Sequence, residues 1–211
     1  MIYAENILLC IAIPLLIAVL FTRESTRRFI VSFLLGMGVC LLAAYITGFI
    51  GTAAGMGLSG GDTAIFISPI IEEIMKMMPP LFYLFMIEPE DRNLILVSVG
   101  IGTGFAIYEN CCYILSLGAG NLSYILIRGL AVGVMHIVSI LTFAMGLVLV
   151  RRFQMLSTAA IMGALALSMT FHGLYNLLVS APGITTLIGY SLPLITAALL
   201  YLPYRRLRLT V

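Results

Sequence analysis

Charge is scarce in this chain of 211 residues: only 9% are Asp, Glu, Lys or Arg, while 62% are hydrophobic. A soluble domain carries roughly 25% charged and 45–50% apolar residues, so the composition excludes an ordinary soluble protein. The apolar residues fall in continuous runs of about 18–25, each enough to cross a hydrocarbon core of about 30 Å as a helix. Such runs also exclude an outer-membrane barrel, whose strands alternate in weak segments of about ten residues. No aspartate lies inside an apolar run, since Asp62 and Asp91 both fall between runs, and this removes an aspartic pair from within the membrane. The leader "MIYAEN" has no basic residue, which argues against a cleaved signal peptide. Cys10, Cys40, Cys111 and Cys112 all fall within apolar runs, where they pack as small apolar residues rather than forming a secreted-type disulfide framework. The net charge of +2 reflects loop arginines and points to no nucleic-acid partner.

What is present reads as an all-α, polytopic membrane helical bundle of one domain covering residues 1–211. The expected spans are 4–21, 29–50, 64–87, 94–117, 123–150, 156–179 and 184–204, about seven in all. Arg23, Arg27 and Arg28 lie in the first loop, Arg92 in the third, Arg151 and Arg152 in the fifth, and Arg205, Arg206 and Arg208 at the C-terminus. The N-terminus and the second, fourth and sixth loops have no Lys or Arg. Positive loops stay on the cytoplasmic side, so the N-terminus is expected outside and the C-terminus inside a cell membrane. The glycine-rich stretch 51–62 is expected to be a flexible outer cover. Gly100 with Gly104, and Gly129 with Gly133, have the small-xxx-small spacing of close helix packing.

Against this background the polar residues inside the runs stand out: Glu72, Glu73 and Lys76 in the third span, Glu109 and Asn110 in the fourth, Arg128 and His136 in the fifth, His172 and Asn176 in the sixth. An Asp, Lys or Arg at mid-span costs roughly 2.5–3.5 kcal/mol on insertion scales, so such residues face a protein interior or a hydrated cavity and mark function. Glu72 and Glu109 are each about eight residues from the outer end of their spans, His172 about seven, and His136 about twelve. At 1.5 Å per residue, these four lie within roughly 8 Å of one height in the outer half of the membrane. Lys76 is three residues from Glu73 and four from Glu72, so it reaches either carboxylate on one helix face. Adjacent carboxylates repel, which suits one to remain ionised and the other to carry a proton, an acid and a base side by side. Ser68 and Pro69 read as the cap and first position of a helix, the alternative being a kink at Pro69 in a longer one. Arg128, near the outer surface, is placed to snorkel. Pro79 and Pro80 are expected to bend the third span.

Four pieces of the chain together resemble the PrsW family of intramembrane proteases, related to the CAAX prenyl endopeptidase and bacteriocin-processing group. They are "EEIMK" (72–76), "FAIYEN" (105–110), His136, and "HGLYN" (172–176), in the family's order on four successive helices. The resemblance implies an endopeptidase that cuts a membrane-tethered protein near its extracytoplasmic side, an anti-sigma factor in the best-known setting, with a second protease cutting afterwards. It also implies that Glu72 and Glu73 are central. The CAAX branch has histidine where this chain has Glu109, and arginine where it has Lys76, so prenylated-peptide processing does not follow.

Peptide hydrolysis needs a base for water, donors for the oxyanion and an acid for the leaving amine. The expected roles are Glu72 as base, Glu73 and Lys76 tuning it, Glu109 as a second acid-base or water-holding group, and His136 and His172 with Asn176 at the oxyanion. Arg128 and Asn110 are supporting residues. Glu72, Glu109, His136 and His172 equally form a zinc set with water in the open position, so metal-free and zinc-dependent hydrolysis both stand. "GLSGG" (57–61) fits a serine-protease elbow at Ser59, but the tryptophan-containing loop associated with rhomboids cannot exist in a chain without Trp. A proton-coupled transporter is the rival from another class, since buried Glu, Lys and His also build proton relays. Oligomeric state has no signature in the sequence.

Overall fold

The computed structural model describes residues 13, 26–55, 63–118, 120–153 and 158–206. Every regular element among them is helical: α1 is Thr26–Ala53, α2 Ser68–Ile87, α3 Asp91–Leu117, α4 Leu122–Arg152, α5 Thr158–Ser180 and α6 Ile184–Arg206. These follow the second to seventh expected spans to within a few residues. The run 4–21, with Cys10, and residues 56–62, with Ser59, Asp62 and most of the expected cover, lie outside the described residues.

Five of the helices, all but α2, are long and apolar enough to cross a membrane. The 20 residues of α2 are numerous enough to cross and mostly apolar, but they include the three charged residues Glu72, Glu73 and Lys76. The membrane windows of α3 and α4 are 83% and 78% buried, against 28%, 22% and 11% for α1, α5 and α6, so α3 and α4 form the centre of the bundle. The outer helices expose large apolar side chains such as Phe49, Leu187 and Leu199. Those would be a liability in water and are unexceptional against lipid tails.

Lipid tails are as apolar as leucine, so close approach of helices depends on small residues at their crossings. A Cβ at Gly104 would collide with the Phe33 carbonyl, and one at Gly36 with the Ile101 carbonyl. A Cβ at Gly100 would stand 2.7 Å from that of Ser32, and one at Gly102 2.6 Å from Ile140 Cγ2. The expected packing role of Gly100 and Gly104 is thus met on α1, and Gly102 adds the α3–α4 crossing that carries His136. At the arginine-rich end, Arg151 donates to the Pro89 carbonyl at 2.7 Å and to Asp91, while Arg152 Nε reaches Asp91 Oδ2 at 2.7 Å. These bonds pin the end of α4 to the α2–α3 connection.

Two local features depart from the expected α geometry. A π-helical turn, Thr63–Ile67, runs directly into α2, and a second, Arg128–Gly133, is inserted in α4. Such turns are rare and concentrate at functional sites. Ser68 therefore does not cap a free helix end: Ile67 before it is already helical, no side-chain cap bond forms, and the Ser68 hydroxyl donates to Glu72 instead. Pro69 does sit at the start of α2, while Pro79 and Pro80 lie inside a helix that continues to Ile87.

Candidate active site

The acids and imidazoles of α2, α3, α4 and α5 meet in one cluster. Glu73 is its anchor. Its Oε1 accepts from Lys76 Nζ at 2.5 Å and faces His172 Nδ1 at 2.7 Å, and its Oε2 accepts from the Ser168 hydroxyl at 2.7 Å. Lys76 is fully buried; besides Glu73 it reaches Ser139 Oγ at 3.0 Å and His136 Nδ1 at 3.2 Å, and it lies 5.0 Å from the centre of the Phe105 ring. A charge without water is tolerable when it is paired and hydrogen-bonded in this way.

The tautomers follow from these partners. An ammonium only donates, so His136 Nδ1 presents its lone pair to Lys76, and Nε2–H donates to Glu109 Oε2 at 2.6 Å. His172 Nδ1–H donates to Glu73 Oε1, which leaves the Nε2 lone pair of that ring facing the cavity. Glu72 Oε2 lies 3.9 Å from His172 Nε2 and 4.0 Å from His136 Nδ1, and it is buried without a hydrogen-bond partner among the described residues. The rings themselves pack edge to face at 5.2 Å. Three acceptor atoms thus converge with no donor of their own beyond Lys76. A water giving both hydrogens, or a cation, satisfies such a cluster.

The donor set also fits a metal. One ligand atom each from Glu72, His136 and His172 lie within 4.8 Å of one another. Both imidazoles are backed by carboxylates, Glu73 behind His172 and Glu109 behind His136, the usual outer support of metal-bound histidine. Glu109, counted among four ligands on sequence grounds, therefore stands one bond behind the trio. The oxyanion role expected of the histidines needs a protonated ring. Each N–H is committed to a carboxylate, so either ring becomes a donor toward the cavity only after gaining a proton.

Arg128 does not snorkel. It is 8% exposed, its Nε donates to Asn110 Oδ1 at 2.9 Å, its guanidinium stacks 3.9 Å from the Tyr113 ring centre, and its Nη2 lies 3.4 Å from Glu109 Oε2. The π-turn at Arg128–Gly133 shifts the helical phase there, and the Arg128 side chain joins the bundle rather than the lipid surface. Asn110 returns a bond to the Arg128 carbonyl at 3.4 Å. Asn176, one turn beyond His172, donates to the Ala64 carbonyl at 2.9 Å and so ties α5 to the π-turn before α2.

Two cavities adjoin the cluster, about 440 Å³ on the α1 side and about 380 Å³ on the α5–α6 side. Both are lined by Ala64, Ser68, Glu72, Glu109 and Tyr113. Ser139 and Ser168 are not singled out in the sequence, and Ser68 is read there only as a helix cap. Their signal is helical spacing: Ser68 is four before Glu72, Ser139 three after His136, and Ser168 four before His172.

The family match agrees with this geometry. The chain matches the PrsW family of intramembrane metalloproteases over residues 24–203 and belongs to it. The match takes in all four elements that carry the cluster, and the chain is by family an intramembrane protease. Comparison with curated proteins gives no match, and comparison with solved structures gives none.

Proposed function

We propose that this protein crosses a cell membrane seven times, N-terminus outside and C-terminus in the cytoplasm, and hydrolyses one peptide bond of a membrane-tethered protein of the anti-sigma-factor kind near the external face. The loop arginines support the orientation. The observation that carries the chemistry is the unpartnered Glu72 Oε2 facing the lone pairs of His136 and His172.

Glu72 is the base. A water held between Glu72 Oε2 and His172 Nε2 gives a proton to Glu72 as its oxygen adds to the carbonyl carbon of the substrate. The negative charge that develops on the carbonyl oxygen meets the second N–H of the Asn176 amide, whose first N–H is bonded to Ala64. His172, 3.9 Å from Glu72 Oε2, takes the proton on and delivers it to the departing amine as the C–N bond breaks. Glu73 and Lys76 fix the rings and the local charge, and Glu109, with Arg128 and Asn110 behind it, fixes His136.

A second reading is supported by the donor set itself. Glu72, His136 and His172 would hold a divalent metal such as zinc, which when bound supplies Lewis acidity and an activated water. The Lys76 contact to His136 Nδ1 supports the first reading, because it occupies one of the three donor atoms.

The test is a single-span protein with an external reporter domain, reconstituted with wild type and with Glu72→Gln. Cleavage by wild type alone is the expected result. Cleavage by neither, with solute uptake dependent on Glu72, would move the assignment to transport.

A further inference from the structure

Most hydroxyls in the described helices bond a backbone carbonyl of their own helix. Ser32, Thr52, Ser98, Thr103, Ser116, Thr142, Thr170 and Thr196 each donate to the backbone carbonyl four residues before. This is the usual way for a helical hydroxyl to satisfy itself away from water. Thr47, on the same helix as Ser32 and Thr52, departs from it: its Oγ1 is buried, makes no hydrogen bond among the described residues, and lines the cavity on the α1 side of Glu72. The other cavity has a counterpart. Tyr175, only 2% exposed, brings a buried and equally unpartnered hydroxyl to the chamber that holds His172 and Asn176. A buried hydroxyl left unpaired costs about 1–3 kcal/mol. Two of them, one in each chamber that meets at Glu72, are arranged for a ligand with polar groups on both sides of the reacting bond.

The walls differ in character. The α1 chamber is lined by Cys40, Leu41, Ala44 and Gly48, of which Leu41 and Ala44 are exposed, so among the described residues this chamber is open sideways. The other chamber is walled by Arg128, Tyr175, Asn176 and Tyr190 and reaches Val179 and Ser180 at the end of α5. The α1 wall of the first is built of the small residues Ala44, Thr47 and Gly48, whereas the second presents the larger side chains Arg128, Tyr175, Asn176 and Tyr190. A transmembrane helix that is to be cut must first unwind, and its freed backbone N–H and C=O groups must find partners within the membrane.

We propose that the substrate lies unwound across Glu72, with its membrane-embedded side in the small-residue chamber of α1 and its external side in the tyrosine-lined chamber of α5 and α6, and that Thr47 Oγ1 and Tyr175 Oη hydrogen-bond its backbone on either side of the scissile bond. The substrate class is a single-span segment with small side chains where it passes Ala44 and Gly48 of α1. This rests on the proteolytic reading of the site.

The experiment uses the full chain in lipid nanodiscs and a single-span test protein with an external reporter. A photo-crosslinking amino acid is placed at Leu41 or at Val179 in the Glu72→Gln background, and captured peptides are mapped. Capture of the membrane segment from position 41 and of the external segment from position 179 is expected. In the active enzyme, Thr47→Val and Tyr175→Phe, each nearly isosteric, are expected to raise KM two- to tenfold, the range of one hydrogen bond at about 0.5–1.5 kcal/mol. Capture at neither position, or of one segment from both, overturns the inference. So does an unchanged KM in both hydroxyl variants when Glu72→Gln still abolishes cleavage, an outcome that leaves the proteolytic reading intact. Ordered capture by a wild type that never cuts does the reverse.

Discussion

Ser168 donates its hydroxyl to Glu73 Oε2 at 2.7 Å, joining α5 to α2 across 95 positions of sequence. Ser168 Oγ also lies 2.8 Å from the Ser139 carbonyl oxygen of α4, so three helices meet at one small side chain. Glu73 in turn holds both Lys76 and His172. Ser168 is thus a positioning residue for the imidazole that faces Glu72. Ser168→Ala is expected to lower the cleavage rate about 10- to 100-fold, the usual cost of losing an outer support, and to destabilise by about 1–3 kcal/mol through the unpaired Glu73 oxygen. Rate and thermal midpoint measured on the same purified sample check both; an unchanged rate removes the positioning role.

The paired glutamates should separate by stability as well as by activity. Among the described residues Glu72 Oε2 has no partner to lose, so Glu72→Gln is expected to cut cleavage at least about 100-fold, as for removal of a general base, with little change in thermal midpoint. Glu73→Gln removes the charge paired with a fully buried Lys76, and breaking such a pair costs about 3–5 kcal/mol. It should therefore lose activity and unfold at lower temperature. Equal stability of the two variants would contradict this division of labour.

How far the sequence reached can be read from these residues. The six described helices are legible because continuous apolar runs have no use in water, and the polar layer is legible because Glu72, Glu109, His136 and His172 are costly in lipid and share a height. Height fixes depth but not the direction a side chain takes around its helix. That is why the sequence places Glu109 beside His136 as a ligand rather than behind it, and leaves Arg128 between snorkelling and support. Neither π-turn has a residue code, and the one at Thr63–Ile67 removed the expected cap at Ser68. Ser139 and Ser168 were overlooked because most membrane hydroxyls bond their own helix.

Arg128 offers a sharp contrast between two substitutions. Its guanidinium uses Nε on Asn110, its face on Tyr113 and an edge toward Glu109, a combination that an ammonium cannot reproduce. Arg128→Lys keeps the charge and would be neutral for a snorkelling residue. Here it is expected to reduce cleavage about tenfold or more by loosening Glu109 and hence His136, and Asn110→Ala should act in the same direction. Full activity in Arg128→Lys would return the residue to the lipid interface.

Chelation decides between the two chemistries that the acceptor cluster accommodates. If His136 Nδ1 remains the acceptor of the Lys76 ammonium through turnover, the water answers to Glu72 alone, and purified enzyme treated with EDTA and shown to be free of metal should cleave at its original rate. Lys76→Met should then impair cleavage, because it removes the partner of both Glu73 and His136, and added zinc should not restore it. Under the zinc reading the signs invert. EDTA abolishes cleavage, stoichiometric zinc restores it, and Lys76→Met, by freeing Nδ1 and removing a cation from beside the trio, tightens zinc binding in a direct metal titration. That titration measures the site without requiring turnover, so it separates a damaged catalyst from a missing metal.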